Sequence, residues 1–479
     1  NADVSLWIIH RDGNRIAVDW DRAAFEYLTA ACWSGPEPLI VVQSRSQKTV
    51  RVLSVDPHTG MTRLRREDTD PCWVQIMPGV PALTGSGRMV WTADLDGNRR
   101  LLIDDAPVTP PHVYVREVLA VDGDSVLFTA SVEPTEIGLW TYSPGAGSIP
   151  FTHAPGVHHG ARAGGTTVVV AESLHHDGTR VTVHREGRPT TSIASTTSTA
   201  STPPITSIAS HAETPVLTPR VDLLRTGDRE LRTAVLFPSG HTPGSRRLPV
   251  LMDPYGGPAG QRVLAARRHY LVSQWFADQG FAVVVADGRG TPGRNPSWEK
   301  EIHGACHSAA LDDQVAALHG AAERHPDLDL ERVGIRGWSF GGFLAALAVL
   351  RAPDVFHAAV AGAAVIDARL YDTHWNERYL GHPDEQPQAY DRASLLADAK
   401  TLRRPLMLIH GLSDDNVTPA HTLRLSSALT AAGRPHTVLL LPGVTHMTPQ
   451  PAIAENLLIL QAHFLHRALH SSVRVCPGQ

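Results

Sequence analysis

Residues 331–343 constrain the fold of this chain more than any other stretch. They read Glu-Arg-Val-Gly-Ile-Arg-Gly-Trp-Ser-Phe-Gly-Gly-Phe, and an Ala/Leu-rich run follows as far as Leu350. This order predicts a strand, a sharp turn at Gly-x-Ser-x-Gly-Gly and a helix. Such a turn lifts the hydroxyl of Ser339 clear of the sheet at a helix N-terminus, where a developing oxyanion is favoured. The alternative interpretation is a glycine-rich turn that contains a serine by chance.

The chain from residue 227 onwards alternates between apolar strands and helical stretches. The predicted strands are 232–237, 248–252, 281–286, 333–336, 406–409 and 437–441, and the predicted helices are 272–279, 311–322, the run after Ser339, 420–432 and 452–469. Alternation of this kind predicts a parallel sheet with helices on both faces. Active groups of such sheets gather at the carboxyl ends of the strands, and Ser339 is expected at one of them.

The first part of the chain has a different pattern. Short runs rich in Val, Ile, Leu, Thr and Trp are separated by turn signals, and no convincing amphipathic helix interrupts them. This pattern predicts a β-sandwich or a β-propeller. Asp-Gly-Asn-Arg between two strands at 12–15 and again at 96–99 hints at repeated blades. A chain of 479 residues is too long for one ordinary domain, so we expect an all-β domain at 1–226 and an α/β domain at 227–479.

A Ser/Thr/Pro-rich stretch at 190–210 contains Thr-Ser-Ile-Ala-Ser twice, at 191–195 and at 206–210. Its composition predicts a duplicated loop without chemistry, and the functional alternative is a modified or partner-binding loop.

Composition excludes several classes of function. Net charge is −5 without a long basic or acidic block, which argues against nucleic acid or anionic lipid as the main partner. No apolar run is long enough to span a membrane. The four cysteines lack CxxC spacing, so neither a disulfide framework nor a zinc site is expected, and no metal or cofactor is implied. The first residues lack a signal-peptide pattern, which favours the cytoplasm unless the N-terminus is processed or truncated.

A serine nucleophile needs a base and an acid, and in α/β-hydrolases the acid and then the base follow the serine, each after a strand. Asp414 follows the strand at 406–409, and His446 follows the strand at 437–441. The predicted triad is therefore Ser339, Asp414 and His446, with Asp415 as the rival acid. The alternatives are a helix-capping carboxylate at Asp414 and an ordinary loop histidine at His446. Because the chain has 26 histidines, His446 is chosen for its position after a strand and not for its residue type.

An oxyanion hole needs two hydrogen-bond donors. One is the backbone N–H of Phe340, the residue after the nucleophile. The second should come from an earlier loop, and the strand at 248–252 runs into Asp-Pro-Tyr-Gly-Gly-Pro. The hydroxyl of Tyr255 in this loop can donate, and the alternative is a tyrosine that only packs in a turn.

These segments together resemble the prolyl oligopeptidase family of serine peptidases, and its dipeptidyl-peptidase IV branch most of all. The matching segments are Asp-Pro-Tyr-Gly-Gly-Pro at 253–258, Asp-Gly-Arg-Gly-Thr at 287–291, Gly-Trp-Ser-Phe-Gly-Gly at 337–342, Leu-Tyr-Asp-Thr-His-Trp-Asn-Glu-Arg-Tyr-Leu-Gly at 370–381 and His-Gly-Leu-Ser-Asp-Asp-Asn-Val at 410–417. The resemblance implies an α/β-hydrolase domain joined to a β-propeller. It also implies the roles given above to the triad, Tyr255 and Phe340, and often a homodimer.

The resemblance further implies a substrate pocket. Its members by position are Val365, Tyr371, Trp375 and Val417 around a proline ring, and Asn416 at the substrate carbonyl. An aromatic-lined pocket suits the compact pyrrolidine ring.

Two departures from the branch bear on substrate preference. Ala368 stands where the branch usually has tryptophan, and Trp375 stands where tyrosine is usual, so strict proline preference is not implied. The branch anchors the substrate amine with paired glutamates in the propeller, and the chain has no Glu-Glu pair. With too few residues for seven or eight blades of about 40 residues, the propeller is expected to be partial and its N-terminal blades missing.

The sequence thus predicts a serine exopeptidase that releases Xaa-Pro or Xaa-Ala dipeptides from oligopeptides through an acyl-enzyme. The alternatives are an acylaminoacyl peptidase, an oligopeptidase or an esterase of the same fold, or a non-catalytic binding protein that keeps the hydrolase shell.

Overall fold

The computed structural model describes residues 3–33, 35–185 and 206–470. Its chain divides into two units. The first, called here the β unit, contains Asn1–Thr214 together with Gly293–Lys300 and Thr373–Arg378. The second, the α/β unit, contains Pro215–Pro292, Glu301–Asp372 and Tyr379–Gln479. Two short segments from the C-terminal half of the sequence therefore belong to the β unit.

The N-terminal part of the β unit consists of small antiparallel sheets. A two-stranded sheet contains β1 (Trp7–Ile9) and β2 (Arg15–Ala17). Four four-stranded sheets follow: β3 (Tyr27–Cys32), β4 (Leu39–Gln43), β5 (Thr49–Val55) and β6 (Thr62–Thr69); β7 (Ala82–Leu83), β8 (Met89–Leu95), β9 (Asn98–Ile103) and β10 (Ala106–Pro107); β11 (Tyr114–Asp122), β12 (Ser125–Ser131), β13 (Gly138–Ser143) and β14 (Gly147–Pro150); β15 (Val157–Ala163), β16 (Thr166–Glu172), β17 (Arg180–Arg185) and β18 (Thr206–Ile208). In each of the four, neighbours in sequence are neighbours in the sheet, as in propeller blades.

The two Asp-Gly-Asn-Arg motifs are hairpin turns, as predicted. The first joins β1 to β2, and the second joins β8 to β9. In the second, Asp96 and Gly97 have φ values of 53° and 76°. Two positive φ angles match the right-handed twist of the strands, which explains the Asp-Gly pair.

A large apolar cluster of the β unit draws residues from several sheets. Val41, Val90, Trp91, Val115 and Phe128 are among its fully buried members. Because these side chains come from β4, β8, β11 and β12, the sheets share one core and pack face to face.

One prediction for this unit needs correction. The stretch 190–210 is predicted as a loop, but Thr206–Ile208 forms β18, the edge strand that pairs with β17. β-Branched Thr and Ile in this second copy of the repeat suit an edge strand. The first copy, at 191–195, lies outside the described residues.

The α/β unit is built on one eight-stranded sheet. Its strands are β19 (Val221–Thr226), β20 (Leu231–Leu236), β21 (Leu248–Met252), β22 (Ala282–Asp287), β23 (Leu328–Trp338), β24 (Ala358–Gly362), β25 (Leu406–Gly411) and β26 (Thr437–Leu441). The order in the sheet is β19-β20-β22-β21-β23-β24-β25-β26. Pairs from β22 onwards are parallel, whereas β19 and β20 pair antiparallel with their neighbours.

Helices of the α/β unit pack against this sheet: α1 (Leu271–Asp278), α3 (Cys306–Arg324), α4 (Phe340–Arg351), α7 (Ala420–Ala431) and α8 (Pro451–His470). The same unit contains α6 (Pro387–Ala393), whereas α2 (Pro296–Lys300) lies in the β unit and α5 (Thr373–Leu380) begins there. Every residue of β21, β22, β24 and β25 is buried. Burial of both faces confirms the α/β fold predicted from the apolar strands.

Two strands of this sheet were not predicted. β19 precedes residue 227, so the sheet begins before the expected boundary between 226 and 227. Its hairpin with β20 fixes that placement. β24 reads Ala-Ala-Val-Ala-Gly, a composition that favours helix. Small residues are required there because α4 lies close: a Cβ on Gly342 would be 2.2 Å from the carbonyl oxygen of Gly362.

Candidate active site

Ser339 occupies the turn between β23 and α4. Its φ and ψ are 57° and −119°, a conformation that a non-glycine residue adopts only under strain. A Cβ on Gly337 would lie 2.1 Å from the carbonyl oxygen of Gly341, so no larger residue fits before the turn. The glycine before the turn thus stands where a side chain would clash, and the turn has the form of a nucleophile elbow.

Backbone hydrogen bonds hold this elbow in place. The N–H of Ser339 donates to the carbonyl of Gly362 at 2.9 Å, and its carbonyl accepts from the N–H of Phe343 at 2.9 Å. Phe340 is buried and begins α4, so its N–H is one of those at the helix N-terminus. The positive end of the helix dipole thus lies beside Ser339.

Asp414 lies three residues after β25 and is buried. Its Oδ1 accepts from the N–H groups of Asn416 and Val417 at 3.0 and 2.9 Å. Its Oδ2 lies 2.8 Å from Nδ1 of His446. Asp415, the rival acid, is exposed. Three donors converge on Asp414, which makes it the carboxylate that contacts the histidine.

His446 lies in the loop between β26 and α8. Nδ1 donates to the carboxylate of Asp414, which leaves Nε2 as the acceptor in the neutral ring. The backbone carbonyl of His446 accepts from Nε1 of Trp338 at 2.7 Å. A Cβ on Gly411, the last residue of β25, would lie 2.3 Å from the carbonyl oxygen of Val444, so this glycine lets the loop approach. Trp338 and Gly411 therefore position His446.

The loop after β21 carries Tyr255. Asp253, at its start, is fully buried and contacts Arg336 at 2.7 Å and the hydroxyl of Ser273 at 2.8 Å. Burial alone would raise the pKa of Asp253, but the attraction of Arg336 and Arg262 and the Ser273 hydrogen bond together lower it. The loop is thus anchored by a charged aspartate below the sheet surface.

The ring of Tyr255 fits in a space that glycine provides. A Cβ on Gly260 would lie 2.3 Å from this ring. Burial is the main cause that raises the pKa of Tyr255, Tyr371 raises it further, and a hydrogen bond with the Ser339 side chain lowers it in part. The Tyr255 hydroxyl is consequently a protonated donor at neutral pH, beside the serine.

Four of the five predicted pocket residues belong to the α/β unit. The hydroxyl of Tyr371 donates to Oδ1 of Asn416 at 3.3 Å. Val417 is fully buried and Val365 is half-buried. Trp375, the fifth, is in the Thr373–Arg378 segment of the β unit, and its role in the pocket stays a prediction.

One polar residue beside the site was missed from the sequence. His410, the fifth residue of β25, is fully buried, and its Nε2 lies 3.5 Å from Oδ2 of Asp414. A histidine at the carboxyl end of a parallel strand is the signal that points to it.

Two further observations concern the described residues alone. Within 3–33, 35–185 and 206–470, no group of three or more His, Cys, Asp or Glu side chains is arranged to hold a metal ion. Over the same ranges, none of the helices combines the length and apolar character needed to cross a membrane.

Two family models match the chain. The prolyl oligopeptidase family model matches residues 268–472. The model for the N-terminal region of dipeptidyl peptidase IV matches residues 1–145. The first match lies in the α/β half of the chain, and the second covers the β unit as far as β13.

Individual relatives agree with these matches. Human dipeptidyl peptidase 8 is 36% identical over 233 residues, which are 48% of this chain and 26% of that protein. Mouse prolyl endopeptidase FAP is 29% identical over 191 residues, 39% of this chain and 25% of that protein. The matched region therefore spans about a quarter of each curated relative.

A solved structure covers more of the chain. The crystal structure of Porphyromonas gingivalis dipeptidyl peptidase 4 aligns with 97% of this chain and 67% of its own, with a TM-score of 0.83 and 24% identity. This match establishes the fold. A parallel sheet with a serine elbow, joined to small antiparallel sheets, belongs to the α/β-hydrolase class. The chain belongs to the prolyl oligopeptidase family of serine peptidases, in its dipeptidyl-peptidase IV branch.

Proposed function

We propose that the protein is a serine exopeptidase that releases N-terminal dipeptides of the Xaa-Pro or Xaa-Ala type from oligopeptides. The observation that carries the proposal is the 2.8 Å contact of His446 with Asp414, together with the strained elbow at Ser339. A serine elbow and a carboxylate-bound histidine are the parts that acyl transfer needs.

In the proposed mechanism, Nε2 of His446 accepts the proton of Ser339 Oγ as the oxygen attacks the carbonyl that follows the second residue. The Tyr255 hydroxyl and the Phe340 N–H donate to the tetrahedral oxyanion. His446 then gives its proton to the leaving amine, and the C–N bond breaks. Water repeats the same steps on the acyl-enzyme and regenerates Ser339.

Asp414 has two tasks in this mechanism. It fixes the tautomer of His446 with the proton on Nδ1, and it stabilises the imidazolium that forms during each step. Its burial and its two backbone N–H donors hold the carboxylate in one orientation. These contacts support the assignment of Asp414 rather than Asp415.

The substrate class rests on the pocket and on the relatives. Tyr371, Asn416, Val417 and Val365 would surround the second residue of the substrate, as the family resemblance implies. Ala368 is buried and stands where the branch has tryptophan, and we propose that Xaa-Ala substrates are accepted as well as Xaa-Pro. The names dipeptidyl peptidase 8 and dipeptidyl peptidase 4 among the relatives support the dipeptide product.

The test compares wild type with Ser339→Ala on Xaa-Pro and Xaa-Ala chromogenic dipeptides. We expect turnover by the wild type and none by Ser339→Ala, with fluorophosphonate labelling lost at the same position. Full activity of Ser339→Ala would show that another residue is the nucleophile.

The alternatives make different predictions in the same assay. A dipeptidyl peptidase requires a free amine, whereas an acylaminoacyl peptidase prefers N-acylated substrates, an oligopeptidase cleaves inside longer peptides and an esterase cleaves esters alone. The name prolyl endopeptidase on the mouse relative is the observation that keeps internal cleavage as the second candidate. A binding protein would take up no fluorophosphonate.

Partners and location are part of the same proposal. We propose an oligopeptide substrate, a homodimer as the resemblance implies, and the cytoplasm as the site of action. Cys72 and Cys306 are thiols, as is common in a reducing compartment. Light scattering on the full-length protein measures the oligomeric state, and fractionation of the source cells tests the location.

A further inference from the structure

His410 makes two short polar contacts inside the α/β unit. Its side chain is fully buried. Nε2 lies 2.7 Å from the carbonyl oxygen of Val417, and Nδ1 lies 2.7 Å from Oγ1 of Thr422 in α7. The ring therefore connects the end of β25 with the loop that follows it and with the next helix.

These contacts fix the tautomer of His410. A carbonyl oxygen only accepts hydrogen bonds, so Nε2 must carry a proton to contact Val417 at 2.7 Å. A neutral ring has a single N–H, so Nδ1 is an acceptor and the Thr422 hydroxyl donates to it. The site requires a rigid group with a donor at one end and an acceptor at the other.

The residue held by His410 is also held by Asp414. The N–H of Val417 donates to Oδ1 of Asp414 at 2.9 Å, while its carbonyl accepts from His410. The N–H and the carbonyl of residue 417 are thus both held, which closes the turn that presents Asp414 to His446. Nε2 of His410 also lies 3.5 Å from Oδ2 of Asp414, the oxygen that contacts His446.

We propose that His410 is a positioning residue that holds the Asp414 turn, through the Val417 carbonyl, in the geometry in which the carboxylate orients His446. The inference rests on the proposed function and adds to it a group that does not touch the substrate. Its mechanism is orientation, since carboxylate position decides how well His446 accepts the serine proton.

Electrostatics agree with this role. Burial lowers the pKa of His410, with the Val417 hydrogen bond and the charge of Asp414 acting in the opposite direction. A neutral His410 ring does not compete with His446 for the negative charge of Asp414. A charged ring at 3.5 Å would compete for that charge.

The experiment uses the full chain with substitutions at both ends of the ring. His410→Gln and His410→Asn should lower kcat by about 10- to 100-fold with KM within about threefold, as expected for a misplaced catalytic group. Thr422→Val, which removes only the hydroxyl, should lower kcat by a smaller factor, and Thr422→Ser should restore it. His357→Gln is the matched control, because Nδ1 of His357 accepts from the N–H of Val333 at the amino end of the strands, away from the site.

Two readouts do not depend on peptide turnover. ¹⁵N NMR of the ring should show the Nε2–H tautomer at His410 in wild type, and the downfield proton of the His446–Asp414 hydrogen bond should broaden or shift in His410→Gln and Thr422→Val. Fluorophosphonate labelling of Ser339 should slow in parallel with kcat. A purely structural role predicts loss of folded protein without a selective change in kcat.

Specific results would overturn the positioning role of His410. Folded His410→Gln with wild-type kcat, or the Nδ1–H tautomer at His410, would overturn the inference. If His410 variants fail to fold, folded Thr422→Val with an unchanged kcat and an unchanged downfield proton would overturn it. Failure of the proposed function looks different, because then wild type itself would neither hydrolyse dipeptides nor take up fluorophosphonate.

Discussion

The α/β unit and the β unit use polar residues in different ways. In the α/β unit, Ser339, Asp414 and His446 follow β23, β25 and β26, so the order of parallel strands already places them at one edge of the sheet. In the β unit, Arg99 and Glu299 are 200 residues apart in sequence and form a buried ion pair at 3.1 Å. The order of strands can be predicted from the repeating strand–helix pattern of the sequence. A single ion pair between distant residues produces no sequence pattern and therefore cannot be predicted in this way.

The segment Gly293–Lys300 is held in the β unit by this ion pair and its neighbours. Arg99 also contacts Asp94 at 2.8 Å, and Lys300 contacts the same aspartate at 2.8 Å. The Tyr114 hydroxyl donates to Glu299. Burial raises the pKa of Glu299, with Arg99 acting against it. Such a network is costly to break, because each partner left alone is a buried charge.

A second group of contacts holds Thr373–Arg378 in the β unit. The guanidinium of Arg45 donates to both carboxylate oxygens of Glu377 at 2.7 and 2.8 Å. Nε of Arg378 donates to Oε1 of Gln47 at 2.7 Å. The bidentate geometry fixes orientation as well as distance. Ion pairs and hydrogen bonds therefore contribute to the attachment of both segments to the β unit.

The largest expected effect is a loss of kcat on substitution of a predicted triad residue in the α/β unit. Asp414→Asn should lower kcat by about 10⁴-fold, because an amide N–H facing Nδ1 of His446 imposes the wrong tautomer. The Asn oxygen can still accept from the N–H groups of Asn416 and Val417, so the fold should survive. Steady-state kinetics on an Xaa-Pro dipeptide with circular dichroism as the folding check measures this.

Asp415→Asn is the control for that substitution. Asp415 is exposed, and its loss should leave kcat near the wild-type value. The reverse result, a large loss at Asp415 and a small one at Asp414, would contradict the argument from strand order.

The second prediction concerns stability in the β unit. Arg99→Met should lower the free energy of unfolding by about 3–5 kcal/mol, because Glu299 and Asp94 lose their buried partner. Urea titration followed by tryptophan fluorescence measures it. Arg88→Met, which removes an exposed pair with Asp104, is the matched control and should change the midpoint far less. Equal shifts in the two variants would mean that burial does not distinguish these pairs.

Which strands could be predicted from the sequence depends on whether their residue pattern is local or is set by tertiary packing. The predicted strand at 248–252 coincides with β21 and that at 437–441 with β26, because continuous apolar runs bounded by turns have one interpretation. β24 was missed, since its alanines favour helix and only the contact of α4 with Gly362 makes small residues necessary. Helix propensity is a property of the local sequence, whereas the requirement for small residues in β24 arises from tertiary packing against α4.

The residues of the candidate site also fall into two groups, those predicted from the sequence and those identified only in the structure. Positions after strands pointed to Asp414 and His446, which the structure brings to 2.8 Å. The anchoring of the Tyr255 loop by buried Asp253 could not be predicted, because Asp253 and Arg336 are 83 residues apart in sequence. The position of His410 at the end of β25 is a sequence signal, but its contact with Asp414 is seen only in the structure. Sequence order thus identifies the groups at the sheet edge, and the residues that orient them become visible only in three dimensions.

The third prediction tests the oxyanion donor. Tyr255→Phe should lower kcat by about 10²–10³-fold, which corresponds to about 2.7–4 kcal/mol of transition-state stabilisation. The ring remains in the space beside Gly260, so the effect should fall on kcat rather than on stability. A change below about threefold would assign Tyr255 to packing alone.

The smallest effect is a shift in pH dependence, and its sign follows from burial. The pKa of Tyr255 is raised above 10.0 mainly by burial, and Tyr255 donates only while protonated. The folded state therefore holds the proton more tightly, and this contribution to stability is complete below pH 10 and is lost as pH rises through the folded pKa. Fluorophosphonate inactivation should decline at alkaline pH with a midpoint above 10.0. This readout is preferred to peptide hydrolysis, because a substrate amine titrates near pH 8, at about 7.7–8.0. Tyr255→Phe should lack the decline, and a wild-type midpoint below 10.0 would contradict the raised pKa.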